Sequence, residues 1–185
     1  MQELDDTQLA KRAANGDAAA FSRLLERHYM TIYRFAYKWT GARADAQDVA
    51  QEVCLKLARA LGSFHAESSF TTWLYRVVVN AAKDFHTSRK RRTANESAFA
   101  EHQDMESGAH TQEDAALAGE IFRAIHQLPE VYRDAVLLVM AEGISHKQAG
   151  EILGCAEGTI SWRISEAKKQ LQGIIEGKSI VMPSL

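Results

Sequence analysis

Apolar residues recur along the chain with a helical period, and almost nowhere with the alternation of a strand. Leu9 and Ala13 open the pattern. Phe21, Leu24, Leu25, Tyr29, Ile32, Tyr33, Ala36 and Tyr37 continue it at spacings of three and four. Asn15-Gly16-Asp17 interrupts the two runs with turn chemistry, and Asp17 is placed to cap the second helix. Gly41 ends that helix. A third starts near Asp45, carries Val49, Val53, Leu55, Leu57 and Leu61, and stops at Gly62. Residues 62–69 read as a loop. A fourth helix runs from Phe70 through Trp73, Leu74, Val77, Val78 and Ala81 into Ser88-Arg89-Lys90-Arg91-Arg92.

The apolar period disappears between residues 93 and 112 and returns afterwards. Leu117, Ile121, Ile125 and Leu128 form a stripe. Pro129 suits the first turn of another helix through Val131, Ala135, Val136, Leu138 and Val139, which Gly143 breaks. Next, Ser145 can cap a short helix ending at Leu153, with Gly154 free to take a left-handed conformation. A few residues later a second helix presents Ile160, Ile164, Ala167 and Leu171 on one side. Small residues at Ala149 and Gly150 permit a close crossing. A short helix, a glycine-marked turn and a second helix with a polar outer face make a helix-turn-helix, whose second helix enters the DNA major groove. On that helix Ser161, Trp162, Ser165 and Glu166 share a face, and Thr159, Arg163 and Lys169 stand beside it.

Charge sharpens the division. The 185-residue chain has a net charge of -2, but the stretch 93–119 contains six acids and no Lys or Arg, so the remainder carries +4. A basic cluster followed by an acidic stretch marks a boundary. The fold expected is all-α: two small helical domains joined by a flexible acidic linker, the second a helix-turn-helix domain. The boundaries are 1–92, 93–112 for the linker, 113–177, and 178–185 for a tail.

Composition excludes other classes. With 46% hydrophobic and 25% charged residues the chain is ordinary globular material. Its longest apolar run, 135–141, is too short to span a bilayer, so no membrane insertion is expected. Cys54 and Cys155 have no metal-ligand partners at usable spacing and read as reduced thiols of a cytoplasmic protein. No nucleophile–base or metal constellation appears, so neither catalysis nor a cofactor is expected.

Two motifs in order resemble the extracytoplasmic-function (ECF) group of bacterial sigma factors, over nearly the full length. DAQDVAQEVCL at 45–55 is similar to the helix by which that family grips the clamp of core RNA polymerase. FHAESSFTTWLYRVVVNAAKD at 64–84 is similar to the part that opens and reads the minus-10 element. LPEVYRDA at 128–135 and the helix-turn-helix with Gly158-Thr159-Ile160 resemble the domain that reads minus-35. The resemblance implies polymerase contacts from Asp45, Asp48, Gln51 and Glu52, an acidic stripe suited to a basic surface. It implies minus-10 contacts from Phe64, His65, Arg76, Asn80, Lys83 and Arg89: Phe64 lining a base pocket, Asn80 offering an amide to a base edge, the cations neutralising phosphates. Minus-35 contacts fall to Thr159, Ser161, Trp162, Arg163, Ser165, Glu166 and Lys169. The acidic linker would thread the polymerase cleft, and an anti-sigma factor would join promoter DNA and polymerase as a partner. One position departs from the family. WRISEAK at 162–168 puts Glu166 where many relatives have an arginine. The residues alone leave open a stand-alone helix-turn-helix regulator, which does not explain the first half, and a sigma-like decoy. An RNA-modifying or nuclease enzyme is a further alternative.

Overall fold

A computed structural model describes residues 4–93 and 112–177. Among them the regular structure is helical throughout, in two compact units divided between residues 102 and 103. The expected acidic linker falls almost wholly outside the described residues, as do the tail and the side chains of Lys90, Arg91 and Arg92.

The first unit contains α1 (Asp6–Ala14), α2 (Ala18–Thr40), α3 (Arg43–Ala60), a short 3-10 turn (Leu61–Ser63) and α4 (Phe70–Thr93). Local chemistry fixes their ends. Asp5 caps α1 in a reciprocal box with Gln8. Asp17 caps α2 by accepting from the Ala20 N–H, and that hydrogen bond holds its carboxyl below the usual range. Gly41 closes α2 at φ 79°, left-handed backbone that glycine adopts without strain. Leu24, Ile32, Phe35, Ala36 and Trp39 of α2 meet Val49 and Val53 of α3 and Leu74, Val78 and Val79 of α4 in one core. Asp6 ties α1 to α2 through Arg27 at 3.1 Å and His28 at 2.8 Å.

The second unit contains α5 (Gln112–Gln127), α6 (Glu130–Val136), a π turn (Leu137–Ala141), α7 (His146–Leu153) and α8 (Glu157–Ile175). Pro129 stands just before α6, as its N-cap. The π turn was not foreseen; in it the Glu142 N–H reaches back to Leu137 O at 3.1 Å. Tyr132, Ala135, Val136 and Leu138 pack with Ile152, Ile160, Ile164 and Ala167.

Four apolar residues expected in buried stripes are exposed, Tyr29 of α2 and Val131 of α6 among them. Leu55 of α3 is 65% exposed and Ile121 of α5 is 42% exposed. Leu55 lies two positions beyond Val53, more than half a turn away from the Val49–Val53–Leu57 stripe that the core covers.

Candidate nucleic-acid and partner interfaces

α3 buries Ala46, Val49, Ala50, Val53 and Leu57, which turns Asp48, Gln51, Glu52 and Leu55 outward on one face. Asp48, Gln51 and Glu52 are exposed, as a docking stripe requires. Asp45 is not: its side chain is only 15% exposed and pairs with Arg89 Nη1 of α4. Asp45 and Arg89, assigned to a partner and to DNA, are bonded to each other because α3 and α4 pack side by side. A groove lined by Asp45, Asp48, Phe85, Ser88 and Arg89 opens beside the pair. Farther along, Lys56 reaches Asp84 at 3.0 Å and Glu52 at 3.5 Å. The hydrogen bond to Asp84 raises the Lys56 pKa above its ordinary value, against a smaller effect of burial. These exposed pairs set geometry more than stability.

The loop between the 3-10 turn and α4 is anchored by aromatic rings. Phe64 is 8% exposed, 5.6 Å from Phe70 and 5.5 Å from Trp73 between centroids. Phe64 is therefore part of the core, not an open pocket wall, and Trp73 is buried with it. In this conformation the ring packs under the short loop, and the expected contact with a base requires it to turn outward. His65, next to it, is exposed, and Ala66 takes φ 58°. Ser69 Oγ accepts from the Thr72 N–H at 3.1 Å and starts α4. On α4, Arg76 and Asn80 are exposed and Lys83 is half-buried, at i, i+4 and i+7, so the three lie on one face.

The helix-turn-helix is built as its glycines suggested. Ser145 caps α7 in a reciprocal box with Gln148, and Gly154 closes it at φ 68°. A β-carbon on Gly150 would lie 2.6 Å from Cys155 O, so the turn returns over a residue that must lack one. The Cys155 N–H also donates to Gly150 O at 2.9 Å. α8 buries Ile160, Ile164, Ala167 and Gln170 and turns Ser161, Trp162, Ser165, Lys168 and Lys169 outward, with Thr159 half-buried. Trp162 is 53% exposed, its ring tilted against that of Tyr132 at 5.8 Å between centroids. Arg163 points to the turn instead, donating to Cys155 Sγ at 3.7 Å. Glu166 pairs with Lys169 at 3.3 Å. Ser161 Oγ lies 2.8 Å from His146 Nδ1 of α7, a contact the sequence reading did not foresee.

Comparison with known proteins bears on both units. The profile of Sigma-70 region 2 matches residues 24–92, and that of Sigma-70, region 4 matches residues 118–171. The ECF RNA polymerase sigma-E factor of Haemophilus influenzae is 35% identical over 185 residues, spanning 95% of this chain and 97% of that protein. The chain belongs to the ECF sigma factors. The RNA polymerase sigma-H factor of Pseudomonas aeruginosa is 34% identical, over 92% of this chain and 94% of its own. Among solved structures, CnrH in complex with the cytosolic domain of CnrY shares the fold at TM-score 0.67 and 24% identity, covering 94% of this chain and 99% of that one. RpoE in complex with the anti-sigma factor NepR from Bartonella quintana does so at TM-score 0.69 and 24% identity, covering 84% and 96%.

As a sigma factor the protein is a non-enzymatic initiation factor: it associates with RNA polymerase and directs promoter-specific transcription, binding DNA through region 4. The region 2 match takes in most of α2 and all of α3, with α4 almost to its end, and the region 4 match runs from within α5 to within α8. No helix of the described residues is long and apolar enough to cross a membrane.

Proposed function

We propose that this sigma factor divides its work between faces of separate helices, in the cytoplasm. Residues 1–92 hold polymerase and the minus-10 element, 113–177 hold the minus-35 element, and 93–112 form the acidic linker between them. The observation that carries this reading is the outward face of α3, where Asp48, Gln51 and Glu52 surround an exposed leucine, Leu55. Acids around one apolar anchor suit a basic protein surface with an apolar depression, because charge guides approach and the buried side chain supplies affinity. The Arg76–Asn80–Lys83 face of α4 and exposed His65 form a separate basic and amide surface for the unpaired minus-10 strand. The outer face of α8 reads the minus-35 major groove.

Asp48→Arg is expected to weaken capture of core polymerase at least tenfold by charge reversal on the docking face. Asn80→Ala should leave capture unchanged and reduce the melted fraction of promoter. Polymerase pull-down with permanganate footprinting separates the two. Loss of capture in Asn80→Ala would show that the α4 face meets protein, not DNA.

Glu166 supplies a second test. Its carboxylate has only acceptors, which favour the N4 amine of cytosine, whereas arginine in its place offers two donors to guanine O6 and N7. The Lys169 pair at 3.3 Å is a weak hold on an exposed helix, about 0.2–0.5 kcal/mol. Glu166→Arg should shift the minus-35 preference toward guanine at one position, by roughly 1–3 kcal/mol for a bidentate contact. Selection from a randomised minus-35 element measures it. An unchanged preference with tighter, more salt-dependent binding would place Glu166 over phosphate.

An anti-sigma factor completes the reading. Tyr29, Met30 and Leu55 in the first unit, and Val131 and Met140 in the second, are large apolar side chains at 44–65% exposure, apt for a protein partner. Two proteins of the same fold are titled as complexes of this kind, CnrH with CnrY and RpoE with the anti-sigma factor NepR. An inhibitor seated on Leu55 would compete with core polymerase, and Leu55→Glu should weaken both.

A further inference from the structure

The hydroxyl of Ser161 has one proton and two places inside the protein to put it. Glu157 O, one turn earlier on α8, lies 3.2 Å from Ser161 Oγ. His146 Nδ1, at the start of α7, lies 2.8 Å away on the other side. If the imidazole carries its proton on Nδ1, it donates to the serine and the serine donates to Glu157 O. If Nδ1 is bare, the serine donates to it. An imidazolium repeats the first arrangement. With Nδ1 bare the serine proton is given to the histidine at 2.8 Å; with Nδ1 protonated the acceptor inside the protein is Glu157 O at 3.2 Å, and in both arrangements an oxygen lone pair remains for a ligand. Serine ordinarily meets a donor or an acceptor equally well, which is why it reads bases poorly. Here that ambivalence is removed by a residue on the other helix.

We propose that His146 is a specificity-positioning residue of the minus-35 interface: by holding Ser161 as an acceptor only, it makes one position of the element require an amino group, cytosine N4 or adenine N6. The proposal rests on the reading that α8 enters the major groove and deepens it by naming what one side chain there can recognise. Ser161 is exposed on the outer face of α8, beside Trp162 and Ser165, so its free lone pair is available to a base edge. Guanine N7 and O6 and thymine O4 are acceptors; each would face the serine oxygen with no proton between them. The histidine need not touch DNA. Its contact spans 15 residues and joins the two helices of the motif, so a backbone that folds correctly sets the serine automatically.

The test is minus-35 selection from a randomised library with reconstituted holoenzyme, using wild type, His146→Ala, His146→Asn, Ser161→Ala and the His146→Ala/Ser161→Ala double variant. Wild type is expected to enrich cytosine or adenine about tenfold over guanine or thymine at one position. His146→Ala should bring that ratio to about twofold at that position alone, by removing the 2.8 Å partner and leaving only the longer contact to Glu157 O to hold the serine proton inward. His146→Asn, whose side-chain amide has a donor where Nδ1 sits, should keep the wild-type preference. Ser161→Ala should relax the same position, and the double variant should match it. An unchanged preference in His146→Ala overturns the proposal. So does a further change on adding His146→Ala to Ser161→Ala, which would mean that the histidine meets DNA itself, or failure of asparagine to rescue, which would mean a structural role. Absence of any minus-35 enrichment by wild type would overturn the underlying reading of α8, and that outcome is distinct from all the others.

Discussion

Phe64→Ala is expected to lower the stability of the first unit by about 3–5 kcal/mol, the range for removing a buried aromatic ring. Phe64 is 8% exposed and lies against Phe70 and Trp73, which are themselves 5.7 Å apart; Phe70 in turn meets His28 of α2 at 5.1 Å. The ring therefore joins the loop to α4, and through Phe70 to α2. A domain of this size has roughly 5–15 kcal/mol in total, so a loss of this magnitude loosens the whole unit. Polymerase capture should fall together with promoter opening, although the docking face on α3 is untouched. His65→Ala, one residue on and exposed, should leave thermal unfolding and capture unchanged while reducing opening. Thermal melts of each full-length variant, with pull-down and footprinting, make the comparison. If Phe64→Ala keeps its melting temperature and its polymerase but fails to open promoters, the ring leaves the core when DNA binds and acts on a base directly.

The contrast shows which parts of this protein were legible in its sequence. Helix ends were, because capping is local: Asp17, Gly41, Ser145 and Gly154 each act within four residues of where they stand. The helix-turn-helix was legible for the same reason. What escaped was set by contacts across long separations. Asp45 and Arg89 are 44 residues apart, and each has an ordinary reading as a solvated charge until α3 and α4 are placed together. His146 and Ser161 are 15 apart, and nothing in their local pattern announces the bond. Leu55 was missed differently. Its angular position on α3 sets it off the buried stripe, but an apolar residue was counted as core where the helix has a second apolar site facing outward. Surfaces made for partners borrow residue types from cores, so hydrophobicity alone assigns them wrongly.

Gly150→Ala should disable the second unit while sparing the first. Ala149 and Gly150 were expected to ease the crossing of two helices; the structure gives Gly150 a narrower reason. Its missing β-carbon would sit 2.6 Å from Cys155 O, with the Ala156 carbonyl carbon and Glu157 nitrogen both at 3.5 Å. All three are backbone atoms of the turn that launches α8, so no side chain can swing aside. Alanine in place of an interior helical glycine ordinarily gains up to about 1 kcal/mol. Here overpacking against backbone opposes it, typically by 1–3 kcal/mol and sometimes more. The loss should win, because relief requires moving the turn and α8 with it, and a melting decrease of roughly 5–20 °C follows for a unit this small. The displacement acts on function too: on the proposed reading of α8, Ser161, Trp162 and Ser165 would be shifted within the groove, so minus-35-dependent initiation should fall more than stability alone explains. Capture of core polymerase by the α3 face should be unchanged. Gly158→Ala is the control for stability, since a β-carbon there meets nothing within 4 Å and the helix gains propensity. Differential scanning calorimetry of the full chain, with transcription from promoters carrying intact and scrambled minus-35 elements, reads both effects. A Gly150→Ala protein that melts with wild type and still distinguishes those promoters would show that the turn yields without cost, and that the close approach of Gly150 to Cys155 is not what fixes the recognition helix.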